Sequence, residues 1–329
     1  MKCTNKKQIA VILFSILLVI SVTGCQSKES SLSVSYTKLY GNAVNNTASS
    51  EKAEGFSSGL CVSSQNIAAA NQIDVQDASA GLFAVDQKQV LFAQNIHEKR
   101  NPASLTKVMT ALLALKYGNL NDTVTVSKNA IITESGAQLC GFLPGDTLTL
   151  EQALYGLMMY SGNDAGVIIA EHIGGSLEGF ADMMNEEAKS LGAMNTHFVN
   201  PHGLTDSEHY TTAYDLYLIF QEAIKYDKFM EIIGTVTYTT QYTDSNGKQK
   251  EVTFNTTNAY LKGKQKAPDG VYVLGGKTGT TAAAGSCLIL LSKDAEYHPY
   301  ISVILKAADH SVLYEKMTEL IANITQQQS

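Results

Sequence analysis

Residues 101–115 read NPASLTKVMTALLAL. Leu105, Val108, Met109, Leu112, Leu113 and Leu115 recur at helical spacing and predict a helix from about Ser104 to Tyr117. Upstream, ASAGLFAVD and then QVLFAQN after a short polar turn read as a two-stranded hairpin. Downstream, apolar residues three and four apart predict helices at about 150–159, 164–173, 177–191 and 212–226, with Gly174, Gly175 and Gly192 as stops. Strand signals return at 236–242, 272–278, 286–292 and 300–306, and a last helix closes the pattern at 311–324. Strands at both ends flank a helical middle, so the sheet must combine distant segments, an α+β arrangement.

The composition agrees with a sizeable core: 44% of the 329 residues are hydrophobic and 17% are charged. Acidic residues outnumber Lys plus Arg by 31 to 24, so there is no basic excess for a phosphate backbone, and nucleic acid is not an expected partner. The first residues are of another kind. Lys2, Lys6 and Lys7 precede an uncharged run, Ile9 to Val22, whose 14 residues are short for a membrane-spanning helix. Val22-Thr23-Gly24-Cys25 follows and resembles a bacterial lipobox. Residues 1–24 are therefore expected to be a lipoprotein-type signal peptide with lipidation at Cys25, an ordinary cleaved signal being the alternative. Either places the remainder outside the cytoplasm, on the bacterial cell membrane if the lipid is attached. Loss of three lysines and no acid would take the net charge from -7 to -10, and an acidic body is repelled by anionic lipid. Residues 25–72 are rich in Ser, Asn, Thr, Lys and Glu without sustained apolar period, which predicts a flexible tether and leaves 73–326 as one domain. Cys61, Cys140 and Cys287 are odd in number and read as small buried apolar residues.

Three short motifs carry chemistry. In Ser104-Leu105-Thr106-Lys107, residues three apart share a helix face, so the lysine amine can reach the serine hydroxyl. A serine nucleophile needs a neighbour to take its proton, and a lysine can do so only when burial or nearby positive charge lowers its pKa. Lys277 is a source of such charge. Alone, the motif is far more often an N-cap serine followed by a surface lysine. Ser161-Gly162-Asn163, at a junction of two predicted helices, can project a hydroxyl and an amide into a cleft, or can be a turn capped by Asn163 or Asp164. Lys277-Thr278-Gly279-Thr280 ends an apolar strand whose edge can receive an extended peptide, Lys277 and Thr278 holding a carboxylate and Gly279 allowing close approach.

In this order the motifs resemble the penicillin-binding protein and serine β-lactamase superfamily. NPASLTKVMTALLAL, YSGNDAGVIIAEHIGGS, FVNPHGL with YTTAYDL, and GGKTGTTAAAGSCLILL narrow the resemblance to the low-molecular-mass D-alanyl-D-alanine carboxypeptidases, serine peptidases of the S11 type. The resemblance implies a transpeptidase-like fold, with an antiparallel sheet from both chain ends and a helical subdomain between. It implies Ser104 as acyl-enzyme nucleophile, Lys107 as proton acceptor, Ser161 and Asn163 as the second catalytic motif, and Lys277, Thr278, Gly279 and Thr280 as the substrate-binding strand. The N–H groups of Ser104 and Thr280 would form the oxyanion hole. The implied partners are peptidoglycan stem peptides, β-lactam antibiotics as inhibitors, and the membrane through the N-terminal lipid; no cofactor or metal is implied.

Some features depart from the family. Tyr214 and Tyr300 stand where Arg is common, which bears on carboxylate recognition, and the sequence stops after the last predicted helix, so no C-terminal β-domain is expected. Two alternatives follow: a catalytically weak lipoprotein that binds peptidoglycan or β-lactam, and a serine β-lactamase. The latter needs a Glu-bearing loop between the second and third motifs, whereas Glu186 and Glu187 fall on a predicted amphipathic helix. His197, His202 and His209 lie close together, but their spacing does not set two zinc ligands on one helix face, so they read as core or loop histidines.

Overall fold

The computed structural model describes residues 56–71 and 73–328. The expected signal peptide, the lipidation site Cys25 and most of the expected tether lie outside the described residues. Strands β1 (Ser79–Ala84) and β2 (Gln89–Gln94) form the first hairpin. A 3-10 turn (Ala103–Thr106) runs into helix α1 (Lys107–Tyr117), followed by the short strands β3 (Thr123–Thr125) and β4 (Thr147–Thr149). Helix α2 (Leu150–Tyr155) passes into a π turn (Gly156–Tyr160), and α3 (Asn163–Gly174) and α4 (Leu177–Ser190) complete the helical middle. Then come α5 (Ala213–Ala223), α6 (Asp227–Gly234), β5 (Thr237–Thr243), β6 (Gln249–Asn255), β7 (Tyr272–Thr281), β8 (Gly285–Lys293), β9 (Pro299–Ala307) and α7 (His310–Ala322).

The main sheet has the antiparallel order β2-β1-β9-β8-β7, so the first hairpin joins the last three strands, and β7 is left at an edge. Its inner strands β1, β9 and β8 are near-continuous apolar runs because both faces are covered. Phe83, Ile289, Leu291, Ile301 and Val303 pack toward the helical middle. Ala80, Leu82, Leu288, Leu290 and Ile304 pack against Leu313, Met317, Leu320 and Ile321 of α7. Each of those four α7 side chains contributes about 1.5–3 kcal/mol at most by burial. Helix α1 is buried from Lys107 to Ala114, which makes it the axis of the helical half. A second sheet, β3-β4-β5-β6, was not expected from the sequence. Among the described residues no helix is long and apolar enough to cross a membrane.

The tether expected over 25–72 does not reach its expected end. Within 56–71, Leu60 and Ile67 pack against the core and Cys61 is fully buried. The Cys61 N–H donates to Tyr217 Oη at 2.9 Å, and Tyr214 Oη donates to the Cys61 carbonyl at 2.9 Å. Sparse apolar residues in a polar stretch are enough to seat it on a preformed surface. Cys61, Cys140 and Cys287 are free thiols, Cys61 and Cys287 buried and Cys140 partly so.

Candidate active site

Ser104 lies in the 3-10 turn and Lys107 opens α1, so the turn of chain between them brings the side chains together. Lys107 Nζ is 2.8 Å from Ser104 Oγ, 2.6 Å from Asn163 Oδ1 and 2.7 Å from the His202 carbonyl oxygen. The lysine is fully buried, and that desolvation, followed by the positive charge of Lys277, holds its pKa well below the ordinary lysine value. Two of its three neighbours are fixed acceptors. A neutral amine can donate one N–H to Asn163 and one to His202, which leaves its lone pair facing the Ser104 hydroxyl.

The π turn after α2 aims the second motif. Ser161 follows it in the left-handed region (φ 67, ψ 32), a conformation that costs a residue with a Cβ about 1–2 kcal/mol. Its Oγ accepts from Lys277 Nζ at 2.9 Å, a bond that ties the helical half to the sheet. Asn163 begins α3, so its side chain reaches Lys107 from the opposite wall. Lys277 also donates to the Thr278 carbonyl at 2.8 Å, and burial brings its pKa down to about 7.

The third motif lies on edge strand β7. Gly279 backs onto the Ala103–Thr106 turn so closely that a Cβ there would stand 2.9 Å from the Ser104 nitrogen. Thr280 lines, with Ser104, Gln138, Asn163, His202 and Gly203, a cleft of about 320 Å³, within the roughly 300–1,000 Å³ of small-ligand sites. Thr278 makes a hydroxyl contact of 2.6 Å with Thr257, a residue outside the motifs.

The sequence reading missed two contributors. Asp164 is buried, and its carboxylate accepts the backbone N–H groups of Cys140, Gly141 and Phe142, pinning the loop that walls the cleft to the start of α3. The alternative of a capped turn gives way to a loop clamp, since α3 starts after Gly162 with no side-chain cap bond. The His202 carbonyl came from FVNPHGL, a stretch whose backbone role no side-chain pattern encodes. Burial, then the charge of Lys107, lowers the His202 ring to about 3.

Both tyrosines expected to bear on carboxylate recognition are engaged elsewhere. Tyr214 is spent on Cys61, and Tyr300 is buried with its hydroxyl donating to Asp294 Oδ2 at 3.1 Å near the β8–β9 turn. Neither lines the cleft. Glu187 is buried on α4 and accepts both bonds of Lys116 Nζ, at 2.8 and 2.9 Å, and Glu186 is exposed on the same helix. No water-activating carboxylate comes from that pair.

The same three motifs fall within a known family. The family model for D-alanyl-D-alanine carboxypeptidase, peptidase S11, matches residues 58–309. The D-alanyl-D-alanine carboxypeptidase DacF of Bacillus subtilis is 37% identical over 249 residues, 74% of this chain and 60% of the relative. DacC of Escherichia coli is 34% identical over 242 residues, 71% of this chain and 57% of the relative. The chain thus spans about three fifths of the length of the curated relatives it matches. Among solved structures, the Streptomyces K15 DD-transpeptidase superposes with a TM-score of 0.69 at 26% identity, over 80% of this chain and 98% of that one. The D-alanyl-D-alanine carboxypeptidase of Mycobacterium tuberculosis gives 0.68 at 26%, over 78% and 95%. With a matched span that takes in all three motifs, the chain belongs to the D-alanyl-D-alanine carboxypeptidase family, peptidase S11.

Proposed function

We propose that the protein is a serine D-alanyl-D-alanine carboxypeptidase that removes the terminal D-alanine from peptidoglycan stem peptides through an acyl-enzyme on Ser104, and that β-lactams acylate the same residue. The observation that carries this reading is the fully buried Lys107 amine, 2.8 Å from Ser104 Oγ, with its pKa pulled down. In the first step the Ser104 proton passes to Lys107 Nζ while Oγ bonds to the carbonyl carbon between the two D-alanines. The N–H groups of Ser104 and Thr280 take the developing oxyanion. The C–N bond then breaks, and the leaving amine collects its proton from Lys107 by way of Ser161, whose hydroxyl is held by Lys277. Water then attacks the ester carbonyl and gives a proton to Lys107, which passes it to Ser104 Oγ as the ester C–O bond breaks and the shortened peptide leaves. Thr278 and the Lys277 charge favour the substrate carboxylate at the β7 edge.

The test is covalent labelling and turnover together. The wild-type chain should take up a fluorescent penicillin and release D-alanine from a stem pentapeptide, while Ser104→Ala should do neither. Labelling of Ser104→Ala would disprove the nucleophile assignment; labelling of wild type with no D-alanine release would favour a binding protein. Fast nitrocefin hydrolysis would favour a β-lactamase, a reading that the placement of Glu186 and Glu187 does not support.

The family also motivates a location. The polymer substrate lies outside the cytoplasm, and the Lys-rich start, apolar run and Val22-Thr23-Gly24-Cys25 support export and lipidation at Cys25. Cys25→Ala should move the protein from the membrane fraction to the soluble extracytoplasmic fraction; unchanged membrane association would refute the lipid anchor.

A further inference from the structure

His209 belongs to none of the three motifs, yet it is wired to the nucleophile turn. Its ring is buried, and the Val199 N–H donates to Nδ1 at 3.1 Å, which places the ring proton on Nε2. Nε2 lies 2.8 Å from Thr106 Oγ1, and the Thr106 hydroxyl donates onward to the Ala103 carbonyl at 2.9 Å. The chain of donors therefore runs one way, from Val199 through His209 and Thr106 to Ala103. Ala103 is the residue that needs holding: its φ is +47, a left-handed conformation that alanine disfavours by about 1–2 kcal/mol. Its peptide bond to Ser104 carries the N–H assigned to the oxyanion hole. The same carbonyl is accommodated by Gly203, at φ +87, where a Cβ would fall 1.9 Å from the Ala103 oxygen. Burial keeps the His209 pKa down at about 4, so near neutral pH the ring holds a single hydrogen-bonding pattern.

The structure assigns His209 as a positioning residue that, through Thr106, fixes the Ala103 peptide and with it the direction of the Ser104 hydroxyl and N–H. The assignment rests on the acyl-transfer reading of Ser104. It goes further by giving FVNPHGLTDSEHYTT, residues 198–212, a mechanical role, in which His202 supplies a carbonyl to Lys107, Gly203 the room for the Ala103 carbonyl, and His209 a donor. A core histidine without that role would affect stability and leave the reaction alone.

Two substitutions in the full chain separate these outcomes, because asparagine and glutamine each replace a different nitrogen of the ring. His209→Gln carries an amide nitrogen near the Nε2 position and keeps the donor to Thr106. His209→Asn carries an oxygen near Nδ1, keeps the Val199 contact and loses that donor. Thr106→Val removes the relay itself at nearly constant volume. His209→Asn and Thr106→Val should each lower the rate of fluorescent-penicillin acylation and kcat for D-alanine release about tenfold or more, with KM within about twofold, while His209→Gln stays within about threefold of wild type. The double variant His209→Asn with Thr106→Val should be no slower than the slower single one. Wild-type kcat in Thr106→Val, or a loss in His209→Gln as large as in His209→Asn, would overturn the assignment. Should His209→Asn fail to fold, Thr106→Val decides alone. Absence of labelling in the wild type would instead remove the acyl-transfer reading beneath it.

Discussion

Lys107 has to be neutral to begin the proposed acylation, and the positive charge of Lys277 helps to keep it so. With Lys277→Ala that repulsion is gone, the protonated form of Lys107 is favoured and its pKa rises. The acidic limb of the acylation pH profile should therefore move to higher pH, in addition to any loss from freeing Ser161. A limb at the wild-type position would mean that burial alone tunes Lys107. The Ser104 and Lys107 pair was readable from sequence because both lie within one turn of chain. The Ser161 to Lys277 bond was not, since it joins residues 116 apart and depends on how a helical half docks on a sheet. Nor could the left-handed turn at Ser161 be read, because serine carries no signal for positive φ.

At the scale of elements, β7 and the Ala103–Thr106 turn meet through a missing side chain. Gly279→Ala would set a Cβ 2.9 Å from the Ser104 nitrogen, against backbone that cannot swing aside. The strand and turn should separate, with a stability loss of about 1–3 kcal/mol in urea unfolding and a larger proportional loss of acylation. Unchanged acylation would show that the contact leaves slack. Helices with sustained apolar period, such as α1 and α4, fell where the sequence placed them, within a few residues. The elements that escaped notice have physical reasons for it. β6, with the sequence QKEVTFN, is exposed along most of its length and offers only Val252 and Phe254 as an alternating pair, and α6 has only eight residues over which a period can repeat. Strands β3 and β4 are three residues each. All four belong to, or lead into, the second sheet, so of its strands only β5 was foreseen, without partners.

For the whole molecule, the polar composition of residues 56–71 concealed a segment that completes the fold. Leu60, Cys61 and Ile67 are isolated apolar residues, too few for a periodic signal, but each meets the core. A chain starting at Ile73 should be about 2–5 kcal/mol less stable to urea than one starting at Phe56, because it uncovers apolar surface and leaves Tyr214 and Tyr217 without their Cys61 partners. Equal midpoints would make the segment an ornament. Of the two lysines buried behind the cleft, Lys277 also acts on the stability of the entire fold. Lys277 titrates near 7 in the fold against an ordinary value of 10.5, so between those limits the unfolded chain binds more protons and stability rises with pH. At and below about pH 7 the handicap is present in full, and it has vanished above 10.5. Lys277→Met should accordingly melt at a higher temperature than wild type at pH 6 and lose that advantage toward pH 10, while ceasing to turn over. An inert descendant of this protein would thus be the sturdier one, and drift toward thermal robustness would erode the cleft first.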